Sequence, residues 1–185
     1  MDELSKRRKW RRWLEMVEAE IGRLRKDMRI YAEIHQHLAD NPDWSAWLEN
    51  TYLVGVSLTV RRLVDANPRH RTVSLVKLLR DMEAHAECLS RRTALRSAGA
   101  SRREEVNRLF DHLAGEGAPH IPQRVIRQWR EEFEAHAVPF RAWVDHHIAH
   151  RDLAVQYPPP DRAQAERILQ WLQDTVATLK TLLGA

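Results

Sequence analysis

Apolar residues recur at spacings of three and four along almost the whole chain, and this periodicity is the feature that most constrains its fold. Such spacing gathers apolar side chains on one face of an α-helix, because a helix has about 3.6 residues per turn. No stretch alternates apolar and polar residues as a half-buried strand would. The pattern therefore predicts an all-α fold, and it is clearest near the start of the chain, at Trp10, Trp13, Leu14, Val17, Ile21, Leu24, Met28 and Tyr31.

Helix-breaking residues divide this pattern into about six segments. The breaks fall at Asn41-Pro42, Asn67-Pro68, 115–119 and the three prolines at 158–160. We expect a helical bundle whose second helix, apolar on most sides, is central. Its helices are expected at residues 2–38, 44–65, 73–96, from a capping box at Ser101 and Glu104 to Gly115, 122–154 with a kink at Pro139, and 161–183.

The length and composition fit one domain with a hydrophobic core. The chain has 185 residues, of which 43% are hydrophobic and 30% charged. We therefore expect a single domain over residues 1–185. Within it, residues 1–40 form a long basic helix and residues 43–183 the helical core.

Two further features bound the classes of protein. Cys88 is the one cysteine, which excludes an intramolecular disulfide, and its apolar surroundings in sequence indicate a buried, inert thiol. No secretory signal is visible, and no segment approaches the roughly 20 apolar residues that span a bilayer. We expect a cytoplasmic protein without a membrane partner.

The densest charge run lies near the N-terminus and includes two tryptophans, Trp10 and Trp13. The chain has a formal net charge of +4, and most of its basic residues are arginine, whose planar fork suits phosphate groups. This run could bind RNA phosphates while the tryptophans stack on bases, or lie on an anionic membrane surface. It could also be a solvated face whose tryptophans pack inward. The candidate RNA-binding residues here are Lys6, Arg7, Arg8, Arg11 and Arg12.

The richest local chemistry lies at residues 141–152, where three histidines, two arginines and two aspartates occur within about three helical turns. His146 and His150 are four residues apart and could share a metal ion, but no HExxH or carboxylate-histidine motif supplies further ligands. The histidines could instead be hydrogen-bonded between helices, or act on nucleic acid. We assign no metal and no cofactor. The candidate catalytic residues are His150, Arg151, Arg141, His147 and His146.

The stretch from Ile148 to Leu153 resembles the end of the helix motif of HEPN-domain proteins, particularly their AbiU2-like branch. Those motifs commonly read Arg-Asn-Lys, two variable residues, Ala-His and a polar pair. The order of three upstream segments, 47–52, 61–65 and 74–79, is also similar to that branch. The resemblance extends over roughly residues 10 to 182. Val144 stands where the motif arginine is expected, Asp145 at the usual asparagine and His146 at the usual lysine.

The resemblance implies an RNA-cleaving protein of a bacterial defence or toxin–antitoxin system. Such proteins are commonly dimers that cut RNA without a metal, through an arginine and a histidine, and an antitoxin protein is a possible partner. A guanidinium can stabilise the charge on a phosphorane-like transition state, and a histidine can move the proton of a 2′-hydroxyl. With Val144 at the motif arginine, Arg61 or Arg62 could supply the cation, and Arg141 could pair with His146 or His147.

The resemblance also leads us to expect a homodimer. The face expected to be buried carries Trp143, His147 and His150, because an aromatic and titratable stripe would be unusual on an open surface.

Overall fold

The structure is a computed structural model that describes residues 2–38, 40–148 and 157–184. It confirms the predicted all-α class: these residues form seven α-helices and no strand. The α-helices are α1 (Glu3–His37), α2 (Pro42–Leu63), α3 (Leu75–Glu83), α4 (Arg91–Ser97), α5 (Arg103–Ala114), α6 (Gln123–Trp143) and α7 (Arg162–Leu183).

The helix ends follow local chemistry. Asp2, Asn41, Ser74 and Ser90 each accept a backbone N–H through their side chains, as N-cap residues do. Asp161 and Gln164 form a full capping box at the start of α7. The predicted capping box at Ser101 is wrong: Ser101 lies in a 3₁₀ turn, and α5 begins at Arg103 without a side-chain cap.

The predicted third helix is two helices. After α3 the chain makes a 3₁₀ turn at Ala86–Cys88, and Ser90 then caps α4. Ser90 also forms an isolated antiparallel bridge with His120, in which the Arg91 N–H donates to Pro119 and the Ile121 N–H donates to Leu89. These bonds to a distant segment offset the loss of helical hydrogen bonds at the break.

One hydrophobic core draws side chains from all seven α-helices. Helix α1 packs along α7, α2 and α3, while α6 packs on α3 and α2. Helix α6 continues through Pro139 and then widens into a π-helical segment at Val144–Ile148. Single π-helical turns inside α-helices often occur at functional sites. Residues 149–154 of the predicted fifth helix lie outside the described residues.

Candidate functional site

Two arginines of the basic N-terminal run hold the C-terminal end of α7. The Arg7 guanidinium donates to the Leu182 carbonyl (2.7 Å) and to the Cys88 carbonyl (3.2 Å), and Arg11 Nε donates to the Leu183 carbonyl (2.9 Å). The last carbonyls of a helix lack helical partners, so cationic donors stabilise them. Burial, with the nearby Arg11 charge, lowers the pKa of Arg7 to about 10.

Arg7 is therefore a structural residue. Only 2% of it is exposed, so RNA cannot reach its guanidinium in this structure, and we remove it from the candidate RNA surface. Arg8 and Arg12, which share the same run, are exposed.

Asp81 on α3 binds three further side chains of the N-terminal helix. Its carboxylate accepts hydrogen bonds from Lys6 (3.3 Å), Lys9 (3.1 Å) and Trp10 Nε1 (2.7 Å). Burial alone would raise the pKa of Asp81, but the hydrogen bonds from Trp10 and Lys9 outweigh it and lower that pKa. Lys6 is also buried, so its charge serves the packing of α1 on α3.

A basic cavity of about 710 Å³ lies between α1, α3 and the loop of residues 66–73. We call it the Trp13 cavity, because the half-buried Trp13 ring forms part of its wall. Lys9 Nζ lies 4.5 Å from the centroid of this ring, within range of a cation–π contact. The other cationic residues that line the cavity are Arg12, Arg71, Lys77 and Arg80.

A second cavity, of about 580 Å³, lies on the other side of the same loop. We call it the Arg61 cavity. It is lined by Arg61, Arg62 and Glu20, and it shares the wall of residues 70–73 with the Trp13 cavity. Arg62 pairs with Glu20 at 3.0 Å, while Arg61 Nε donates to Asp145 Oδ1 at 2.8 Å. Arg61 therefore connects this cavity to the π-helical segment.

Asp65 organises the loop between the cavities. Its carboxylate accepts from His70 Nδ1 (2.9 Å) and from the Asn67 N–H (3.1 Å), and Lys77 donates to the His70 and Thr72 carbonyls. Burial would raise the pKa of Asp65, but the hydrogen bonds from His70 and Asn67 and the Lys77 charge outweigh it and lower that pKa. The loop is thus held in one shape with its imidazole and the Arg71 side chain in the cavity walls.

Sequence reasoning did not select His70, Arg71 or Lys77 as functional residues. The signal was local: the run Arg69-His70-Arg71 follows Asn67-Pro68 and is preceded by Asp65. That run identified a loop, but not its position beside the N-terminal helix.

The π-helical segment holds two of the predicted catalytic residues, His146 and His147. His147 Nε2 accepts the Tyr157 N–H at 2.9 Å, and the His146 ring lies 4.8 Å from the Tyr157 ring. Arg141 is exposed one turn earlier on α6. His150 and Arg151 lie outside the described residues.

Val144, at the position of the motif arginine, is buried in the protein. Its side chain thus points away from solvent, while Arg61 of α2 reaches the neighbouring Asp145. The structure therefore places a cation beside the segment from another helix. It does not bring Arg62 to this segment, since that side chain pairs with Glu20.

Within the described ranges, no three histidine, cysteine or carboxylate side chains are close enough to hold a metal ion. The pair formed by His146 and His150 lies partly outside those ranges. Among the described helices, none is both long and apolar enough to cross a membrane.

Comparisons with protein-family models, with curated proteins and with solved structures found no match to this chain.

Proposed function

We propose that this chain binds RNA along the 66–73 loop and cleaves it without a metal, as a HEPN/AbiU2-like protein. The observation that carries the proposal is the position of Arg61. Its side chain lines a cavity of the basic surface and also pairs with the segment that holds His146 and His147.

The two cavities supply what an RNA backbone requires. Arg12 and Arg71, which are both exposed, line the Trp13 cavity, and cationic side chains bind phosphates with release of counterions. The Trp13 ring and the His70 imidazole add flat surfaces on which unpaired bases can stack. These features favour single-stranded RNA over a duplex, whose bases are already stacked.

The proposed chemistry is an attack by the 2′-hydroxyl on its own phosphodiester. One histidine of the 146–150 region takes the hydroxyl proton, and the 2′-oxygen bonds to phosphorus. The bond from phosphorus to the 5′-oxygen breaks as the same histidine returns the proton to that oxygen, which leaves a 2′,3′-cyclic phosphate and a 5′-hydroxyl. Arg61 stabilises the charge on the phosphorane-like transition state. Arg61 must give up its ion pair with Asp145 in order to bind the phosphate. The free-energy cost is small, because half-exposed ion pairs contribute only about 0.2–1 kcal/mol.

The resemblance also supplies the proposed setting. We propose a cytoplasmic homodimer that works in bacterial defence, with an antitoxin protein as a partner. One observation does not favour the dimer face predicted from the sequence. Trp143 is only 8% exposed within the chain, so a second copy is not needed to cover it.

The test is RNA cleavage by the purified protein in the presence of a chelator. We expect activity to persist, and we expect His150→Ala to lower the rate at least about a hundredfold without a change in melting temperature. Arg61→Ala should lower the rate as well. His112→Ala and Arg108→Ala are matched controls, since both side chains are exposed on α5 and line neither cavity.

Arg141→Ala tests the register of the motif. Loss of activity would indicate that His146 or His147, rather than His150, is the partner histidine. Activity that disappears in the chelator would instead favour a metal site at His146 and His150.

A non-catalytic RNA-binding module is the second candidate. Two observations favour it: Asp145 neutralises Arg61, and the Tyr157 N–H engages His147 Nε2. RNA binding that depends on Arg71, with no cleavage by wild-type protein, would establish this alternative.

A further inference from the structure

Helix α2 has a second apolar face, opposite the one that packs into the core. Its core face carries Leu53, Val56, Val60 and Leu63. The opposite side carries a stripe spaced alternately by three and four residues, formed by Trp44, Trp47, Thr51, Val54 and Leu58. We call these five residues the α2 stripe.

Four of the five residues of the α2 stripe are open to solvent, and the fifth, Val54, is partly buried. Trp44 is 58% exposed, Trp47 is 59% exposed and Leu58 is 39% exposed. The two tryptophan rings meet edge to face, with centroids 5.9 Å apart, and so form one continuous apolar surface. The apolar character of α2 predicted a central helix. In the structure, however, the rest of the protein covers the core face of α2 and leaves the opposite side exposed.

Charge is absent from the stripe. Glu49 is the one charged residue between Trp44 and Val60, and a step of about 100° per residue places it on the far side of the helix. Apolar residues spaced alternately by three and four residues form the seam along which two α-helices pack. An exposed seam of this kind marks an interaction surface.

We propose that a second copy of this chain covers the α2 stripe, with the two α2 helices antiparallel across a twofold axis. The sequence is self-complementary in that arrangement. With the axis between residues 52 and 53, Trp47 of one copy faces Leu58 of the other, and Thr51 faces Val54.

The ends of the stripe match in charge. Asp43 at the start of α2 meets Arg62 at the end of the partner helix; the Arg62 side chain is 64% exposed and has donors left beside its pair with Glu20. Antiparallel packing also places the positive end of each helix dipole beside the negative end of the other. A parallel pair would instead bring Asp43 against Asp43 and arginine against arginine.

This interface rests on the homodimer of the proposed function and gives it a face other than that of Trp143. It does not depend on RNA cleavage. The contact is isologous, so the same surface serves both copies and the assembly closes as a dimer.

Sedimentation equilibrium of the full chain at micromolar concentration tests the proposal. Wild type is expected at twice the monomer mass. Trp47→Glu should raise the dimer dissociation constant at least about thirtyfold, the effect of losing an interface hot spot. The matched control is Val138→Glu on α6, which is also an exposed apolar position but lies off the stripe.

Mixing two variants tests the register. Trp47→Lys alone and Leu58→Glu alone should each be monomeric, whereas their mixture should form a heterodimer, because the new basic and acidic side chains face each other. Circular dichroism melts check that each variant is folded.

A monomeric wild type, a dimeric Trp47→Glu variant or a mixture that stays monomeric would overturn the interface. A monomer that still binds RNA would leave the proposed function standing. A dimer that binds no RNA would remove that function and keep the interface.

Discussion

Gly184 follows α7 and has a backbone that L-residues with a side chain rarely adopt, with φ of 65°. A Cβ added there would also collide with Ser97 Cβ on α4. We expect Gly184→Ala to lower the free energy of unfolding by about 1–2 kcal/mol from the left-handed conformation alone, with the collision adding to that loss. Urea denaturation followed by circular dichroism measures the change.

Gly22 offers the opposite case within α1. A Cβ there meets nothing within 4 Å, and the glycine lies in a helix interior. Gly22→Ala should therefore raise the free energy of unfolding by roughly 0.5–1 kcal/mol. If both alanine variants shifted stability in the same direction, the account of these two glycines would be wrong.

The Asp81 carboxylate makes the free energy of unfolding depend on pH in the acid range. Its pKa is lower in the folded protein than in the unfolded chain, so the carboxylate adds stability that is complete above the unfolded value, near 4. That stability is lost as pH falls through the folded pKa. Asp81→Asn should cost about 2 kcal/mol at neutral pH and flatten the loss of stability below pH about 4.

Urea titrations at a series of pH values measure this effect. Asp27→Asn, at an exposed position of α1, is the control and should keep the wild-type pH profile. An Asp81 variant that loses stability in acid as steeply as wild type would contradict the assignment.

At the scale of the elements, the sequence predicted the long helices well because each has a clear cap and a continuous periodicity. The bounds of α1 and α2 differ from prediction by one or two residues, while α7 follows the predicted cap Asp161 and ends at the predicted Leu183. The break between α3 and α4 was missed because no glycine or proline lies between Val73 and Arg96. The bridge from Ser90 to His120, a tertiary contact that periodicity cannot reveal, accompanies this break.

The candidate site was harder to predict from the sequence, because it too depends on tertiary contacts. Arg7 and Arg8 are adjacent arginines in one basic run, yet one is buried against carbonyl groups and the other is exposed. The meeting of Arg61 with Asp145 joins two helices that are distant in sequence. That contact forms because α2 packs against the end of α6, and the sequence alone does not reveal this packing.

The pairing of Arg61 with Asp145 predicts a measurable coupling between α2 and the π-helical segment. Both side chains are more than a third exposed, so solvent screens the pair. A double-mutant cycle with Arg61→Gln and Asp145→Asn should give a coupling of about 0.2–1 kcal/mol in thermal or urea unfolding. A coupling of several kcal/mol would show that the pair is a structural element rather than one that RNA phosphate can displace.

Across the whole molecule, the proposed RNA surface should appear as a salt dependence of binding. We expect the logarithm of the RNA association constant to fall linearly with the logarithm of salt concentration. Arg71→Ala should reduce this slope by about 0.7, the value for one lost phosphate contact on a single strand. Arg108→Ala removes the same charge outside both cavities and should leave the slope unchanged. Fluorescence anisotropy with a labelled RNA oligonucleotide supplies the measurement.

The attachment of Arg7 and Arg11 to the end of α7 has a consequence for how the protein is made. Ribosomes add roughly 5–20 residues per second, so these arginines emerge on the order of ten seconds before Leu182 and Leu183 exist. Throughout that interval the face of α1 that packs on α7 has no native partner. The nascent chain thus carries one apolar face of α1 that only the later-made α7 can cover, and chaperones that bind exposed apolar surface have time to act on it.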